Sequence, residues 1–181
     1  MTSDLAAAVH RVAPFVAHDK KSPDALRHVL VEPTRVAATD RLRLVVIEGA
    51  FDVAARTLVD AETLAEVDGV EGFPDIDRLL AAFDTGTSVT IDAAALLDAV
   101  EGATGADDEP LAVQIEGGHV LLGAEATDPA THVNGAYLHD AVEAAGTGEV
   151  VVEVTGETTP LAVRGADVLT LLMPVRVRAR R

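Results

Sequence analysis

Six histidines and thirty Asp or Glu residues give this 181-residue chain the raw material for metal binding or acid–base catalysis. Their spacing argues against both. His10, His18 and His28 do not stand at i, i+4 or another ligand spacing, and no carboxylate pair accompanies them in a recognisable signature. His132 and His139 flank the start of an expected helix, where solvated or capping roles are commoner than catalysis. Asp40 and Asp75 fall in turn-like stretches, where Asp commonly caps backbone N–H groups. There is no Ser–His–Asp arrangement and no phosphate-binding Gly loop. With no cysteine, disulfides, thiol catalysis and Cys-bound metal centres are also removed. The sequence predicts a protein that binds, not an enzyme, with no metal and no cofactor.

One stretch has unusual binding chemistry. TLLMPVRVRARR (Thr170–Arg181) joins an apolar, Pro-containing run to four arginines in six residues. A core strand would account for the first half and a solvated tail for the second. Two more specific roles stay open for Arg178, Arg180 and Arg181: a tether for acidic partner segments, or a small arm contacting phosphates.

Composition narrows the partners. Apolar residues make up 49% of the chain but aromatics only 3%, so the core is aliphatic and stacking recognition of single strands or sugars is disfavoured. The N-terminus carries no signal-peptide pattern, and no apolar run reaches the ~20 residues that cross a bilayer. The expectation is a soluble cytoplasmic protein with no membrane partner. Net charge is −16, and from Leu79 to Val163 there are fifteen acidic residues and not one Lys or Arg. That half is either simply well solvated or actively repels polyanions.

The elements that must position these residues follow from periodicity. Helices are expected over Asp4–Val16, Asp60–Val67, Asp92–Ala103 and Asn134–Ala145, three of them behind an Asp or Asn cap, with Pro14 kinking or ending the first. Strands are expected in HVLVEP, RVAAT, RLRLVVIEGA, ARTLV, TSVTI, LAVQIE, HVLLGAEA, EVVVEVT, PLAVR and TLLMPVRV. LVDAETLAEV, TIDAAALLDAV and HVNGAYLHDAV read as three copies of one strand–cap–helix phrase. Such repeats make an α+β fold of antiparallel sheets with helices on one face. The Pro-Asp of GFPDIDRLL (72–80) is the expected domain boundary.

Three motifs, in order, resemble the β subunit of bacterial DNA polymerase III, the sliding clamp. AATDRLRLVV (37–46) is similar to that family's ATDGHRLAV segment, and GFPDIDRLL to its FPDYRRVLP linker. NGAYLHDAV, VVVEVTGETTPLAVRGAD and TLLMPVRV together resemble its closing domain. The resemblance implies a DNA-clamp-like fold of repeated β-α-β-β units lacking the family's first domain. It divides the chain into a trimmed second domain (1–72), a linker (73–82) and a third domain (83–181). Fewer strands are expected after 60–67, and again between HVLLGAEA and HVNGAYL, than the family has.

The resemblance also implies a function. The family's closing strand lines a hydrophobic pocket for short linear peptides of DNA polymerase, the clamp loader and repair proteins. Carried over, the pocket comprises Leu26, Thr39, Leu42, Arg43, Leu44, Pro74, Arg78, Leu79, Leu171, Leu172, Met173, Pro174, Val175 and Arg176. Leu and Met make an adaptable apolar cavity, and Arg43, Arg78 and Arg176 could hold a carboxylate. Arg41 and Leu42 stand where the family has Gly-His, altering one wall. The family encircles double-stranded DNA without sequence specificity, through helices with basic faces. Here Arg11, Lys20 and Lys21 are the DNA-contacting candidates, and assembly would be a homo-oligomer, a trimeric ring or a dimer. Two readings result: a sliding-clamp-like processivity factor, or a clamp-fold peptide-binding adaptor or regulator that does not encircle DNA.

Overall fold

The structure of the protein, a computed structural model, describes residues 5–83, 86–104, 110–127 and 129–177. Helix α1 (Leu5–Val12) runs through two 3₁₀ turns (Ala13–Phe15 and Asp24–Arg27) to strands β1 (Val29–Glu32), β2 (Arg35–Thr39), β3 (Arg43–Glu48) and β4 (Thr57–Val59). Helix α2 (Ile76–Ala81) precedes β5 (Thr87–Asp92), α3 (Ala93–Ala103), β6 (Pro110–Glu116) and β7 (His119–Leu122). The chain closes with β8 (Thr131–Asn134), α4 (Gly135–Ala145), β9 (Glu149–Val154), β10 (Leu161–Arg164) and β11 (Val168–Leu172). No helix among the described residues is long and apolar enough to cross a membrane.

Side-chain chemistry sets the helix boundaries. Asp92 accepts from the amides of Ala94 and Ala95, and Asn134 from that of Tyr137, so each satisfies donors that the first turn leaves open. Gly146, at φ +89°, ends α4 in a conformation that side chains resist. Pro14 turns the expected continuation of α1 into the 3₁₀ turn Ala13–Phe15.

The expected helix over Asp60–Val67 is not formed. Asp60 Oδ1 accepts from the amides of Glu62 and Thr63, as a helix cap would, but Leu64 then adopts φ +60°. The chain folds back, Val67 N–H donates to Leu58 C=O, and Glu66 bridges to Val59. A β-branched Thr63 and a left-handed Leu64 within one turn prevent propagation. The phrase LVDAETLAEV is thus a hairpin, whereas its two later counterparts are strand–cap–helix as expected.

Eight strands form one antiparallel sheet in the order β4-β1-β2-β3-β11-β10-β9-β5, and three form a smaller one, β7-β6-β8. The ladder between β3 and β11 pairs residues 43–47 with 168–172 and joins the two halves of the chain into one sheet. Alternation along each strand separates two cores. Val36, Ala38, Val45, Ile47 and Leu172 face α1 and α4, while Ala37, Leu44, Val46, Ala162 and Leu171 face the opposite way. That second face is covered by Ile76 and Leu80 of α2 and by Phe73 and Phe83 beside it. On the helix face the packing is close: a Cβ on Gly165 would lie 2.4 Å from the carbonyl oxygen of Ala145.

Candidate functional site

A cavity of about 370 Å³ opens on the face of the large sheet opposite α1 and α4. Its floor is one cross-strand row. Thr39 of β2 pairs with Leu44 of β3, and Leu44 pairs with Leu171 of β11, so three side chains stand abreast on the same face. Leu44 and Leu171 are buried and make the floor apolar. Thr39 donates its hydroxyl to the Arg43 carbonyl at 2.7 Å, which removes its polarity from the cavity.

One wall comes from α2 and its flanks: Pro74, Leu79, Ala82 and Phe83. This helix was not expected, because the stretch reads as a linker. Its grammar is nonetheless present. Asp75 accepts from the Arg78 amide at the cap, and Ile76, Leu79, Leu80 and Phe83 recur at i, i+3, i+4 and i+7. Ile76 and Leu80 anchor the helix to the sheet, leaving Leu79 at the rim, 42% exposed. Arg35 of β2 fastens α2 from outside, donating to both oxygens of Asp77 while its Nε engages Glu32. Hydrogen bonding from Arg35 holds the Asp77 carboxyl below the usual range, and the same contact raises the Arg35 guanidinium further.

The rest of the rim is built by chain ends of strands. Pro160 lies just before β10, and Met173 just after β11. The β11 ladder stops at Leu172; Met173 N–H donates instead to the Leu42 carbonyl at 2.7 Å, and Pro174 has no amide to offer. Val175 N–H then donates to His132 C=O of β8, so the segment leaves the large sheet for the small one. Arg41 completes the rim from the β2–β3 turn.

Of the fourteen residues carried over from the resemblance, Thr39, Arg43, Leu44, Pro74, Leu79, Leu171 and Met173 line this cavity. Leu42 and Val175 are exposed beside it, with Arg78, Pro174 and Arg176 also outside its lining. Leu172 points into the helix-side core and Leu26 is buried away from the cavity. Arg41 lines it at the altered wall, and Ala82, Phe83 and Pro160 line it beyond the residues that the resemblance implies. The helical spacing from Leu79 to Phe83 could have found two of them.

Arg43 differs most from its expected role. Only 7% of it is exposed, and its guanidinium lies on the helix face between the rings of Phe15 and Tyr137, 4.9 and 4.1 Å from their centroids. Its Nε donates to Asp40 at 2.9 Å, and its terminal nitrogens donate to Asp140 of α4 and to the Pro14 carbonyl. Three of its five N–H groups are engaged, and burial on the helix face keeps the guanidinium out of reach of a carboxylate in the cavity. Its contribution to the cavity is its position in the strand.

The DNA-contacting candidates divide, with Arg11 engaged and the two lysines exposed. Arg11 donates to both oxygens of Asp167 at 2.8 and 2.9 Å and to the Ala144 carbonyl near the end of α4. This hydrogen bonding holds the Asp167 carboxyl below its ordinary value. Lys20 and Lys21 are exposed in the loop before the second 3₁₀ turn. Helices α3 and α4 expose Asp98, Glu101 and Glu143 and contain no Lys or Arg. His139 lies 3.4 Å from Glu101 and 3.7 Å from Glu143, joining α3 to α4. Arg178, Arg180 and Arg181 lie outside the described residues.

No protein-family model and no curated protein matches the chain. Solved structures do. The DNA polymerase III β subunit of Thermotoga maritima superposes with a TM-score of 0.79 at 17% identity, covering 96% of this chain and 64% of that one. The Bacillus subtilis DNA polymerase sliding clamp gives a TM-score of 0.73 at 16% identity, over 94% of this chain and 61% of that one. The Helicobacter pylori β clamp, solved bound to a DNA ligase peptide, gives 0.72 at 14% identity, over 96% and 63%. This chain therefore spans less than two thirds of the length of the clamps it matches, and its α+β architecture of antiparallel sheets backed by helices is the fold of the bacterial sliding clamps.

Proposed function

We propose that this protein is a sliding-clamp-like factor that captures linear peptide motifs of DNA polymerase, clamp-loader or repair partners in the cavity between β3, β11 and α2. One observation carries the reading. Residues from three separated stretches, 39–44, 74–83 and 160–173, converge on a single apolar cavity, and each stretch overlaps a motif that resembles the clamp family. The cavity has the size and the apolar lining of a site for a few buried side chains of a peptide. A clamp of the same fold bound to a DNA ligase peptide supports the reading by analogy. In this scheme residues 1–72 and 83–181 are two clamp-like units, with 73–82 between them supplying the cavity wall.

Whether the factor encircles DNA divides two versions of this reading. The acidic surface of α3 and α4, with Arg11 engaged by Asp167, favours the adaptor that holds peptides without encircling DNA. The experiment is titration of a labelled peptide rich in Gln, Leu and Phe, with sedimentation of the same sample with and without duplex DNA. We expect binding in the micromolar range, weakened more than tenfold by Met173→Ala or Leu44→Asp, a loss of about 1.4 kcal/mol or more. Unchanged affinity in both variants, checked as folded by circular dichroism, would remove the pocket from this site. A trimer that co-sediments with closed-circular DNA would instead favour the processivity ring.

A further inference from the structure

Arg41 occupies a position where an arginine is conformationally unfavourable. Its φ of +81° lies in the left-handed region, which a residue with a side chain enters only against steric strain. The turn is imposed by its neighbours. Asp40 Oδ1 accepts from the amides of Leu42 and Arg43, both at 2.9 Å, and the Arg41 amide donates to Thr39 Oγ1. A glycine would satisfy all of these contacts without the strain. The side chain must therefore be accounted for by something other than the turn.

Its charge is also left over. The second oxygen of Asp40 is taken by Arg43, which has Asp140 as a further counter-ion, so the adjacent carboxylate does not serve Arg41. The Arg41 guanidinium makes no ion pair or hydrogen bond among the described residues. Among the described residues no acidic side chain lines the cavity, and the guanidinium of Arg43 lies on the other face of the sheet. In a chain of net charge −16, the charge presented at this mouth is positive.

We infer that Arg41 is the specificity-determining residue of the cavity, selecting peptides that carry a carboxylate next to their apolar anchor. This rests on the peptide reading above and narrows it. The carboxylate comes either from an Asp or Glu side chain or from a free C-terminus; the guanidinium fork serves both. The apolar anchor enters between Leu44, Leu171 and Leu79, and the carboxylate stays at the rim, where only part of its hydration is removed. That placement makes the selection moderate and dependent on salt.

The test uses four labelled peptides sharing one apolar anchor: flanking Asp or Asn, and C-terminal acid or amide. They are titrated against the full chain and against Arg41→Gly and Arg41→Gln. In the unmodified protein we expect the carboxylate form to bind about five- to tenfold more tightly than its neutral counterpart. The Asp/Asn pair and the acid/amide pair report separately which source is used. Both variants should bring the ratio below about twofold. Arg41→Gly should also raise the unfolding midpoint by relieving the strained φ, so any loss of selection cannot be ascribed to misfolding. Neutral and acidic peptides binding equally well to the unmodified protein would overturn the role of Arg41 and leave the pocket intact. Failure of all four to bind at millimolar concentration would overturn the pocket and this inference with it.

Discussion

On the helix face of the eight-stranded sheet, Arg43 and Arg11 are engaged by acceptors: Asp40, Asp140 and the Pro14 carbonyl for one, Asp167 and the Ala144 carbonyl for the other. On the opposite face, Arg41 stands at a cavity mouth with no acceptor among the described residues, above a floor of Leu44 and Leu171. Both faces are built from the same alternating strands, so their difference arises from what covers them. Helix α4 brings the Asp140 carboxylate and the Ala144 carbonyl to the first face, and the 3₁₀ turn after α1 brings the Pro14 carbonyl. The short α2 and the residues after it bring Leu79 and Phe83 to the second and leave a gap beside them. Arginine on a sheet is thus no indicator of function until its acceptors are counted. Engaged guanidinium groups fasten elements together; an unengaged one beside an apolar cavity is available to a partner.

The largest effect expected from this contrast is on stability. Arg43→Ala leaves Asp40 and Asp140 without their shared cation and opens the space between Phe15 and Tyr137. Removing one partner from such a buried, multiply hydrogen-bonded arrangement costs about 3–5 kcal/mol. Urea denaturation should show that loss, and Arg43→Lys should recover less than half of it, since a lysine cannot reproduce the planar fork or the stacking. A variant that kept its stability but lost peptide binding would move Arg43 to the pocket face and break the comparison.

The pocket face should show the reverse pattern. Leu79 is at the rim, and truncating a half-exposed side chain leaves little cavity behind. Leu79→Ala is expected to change stability by less than about 1 kcal/mol. The same variant should weaken peptide binding about tenfold, because the bound peptide would complete the burial of Leu79. Parallel losses in stability and affinity would make Leu79 an ordinary core residue.

Much of this arrangement can be read in the sequence, and the gaps have physical causes. The strands were legible from their β-branched runs, and α3 and α4 from Asp92 and Asn134 at their caps. Asp60 gave the same cap signal and failed, because a cap fixes only where a helix can begin; residues 61–64 decide whether it continues. Helix α2 is hidden in the sequence for the opposite reason. A Pro-Asp pair reads as a break, yet Asp75 is also an N-cap, and the apolar spacing from Ile76 to Phe83 is helical. The resemblance implies the residues of the cavity floor, which lie within strands. It could not tell which face each side chain takes: Leu171 and Leu172 are adjacent in sequence and belong to different cores. It also gave Arg43 and Arg41 the wrong emphasis, since the carboxylate that engages Arg43 from α4 lies ninety-seven residues away in sequence.

The smallest effect tests the fastening on the helix face by pH. Hydrogen bonding from Arg11 lowers the Asp167 carboxyl from its ordinary value of 3.8, so the unfolded chain takes up that proton more readily than the folded one. The stability this pair contributes is therefore fully present above pH 3.8 and is lost as the pH falls through the lower folded value. Both side chains are partly solvated, at 33% and 45% exposure, which keeps the contribution below about 1 kcal/mol. Asp60 and Asp77 are lowered as well, so the whole protein loses stability in acid and only a difference isolates the pair. Asp167→Asn should be slightly less stable than the unmodified protein at neutral pH and nearly equal to it near pH 2, measured by urea midpoints across that range. Arg41→Gly should leave the shape of the acid limb unchanged, because Arg41 has no carboxylate partner among the described residues whose protonation could release it. If Arg41→Gly flattened the acid limb as Asp167→Asn is expected to, Arg41 would have an internal counter-ion after all, and the two faces would no longer differ in how they hold their arginines.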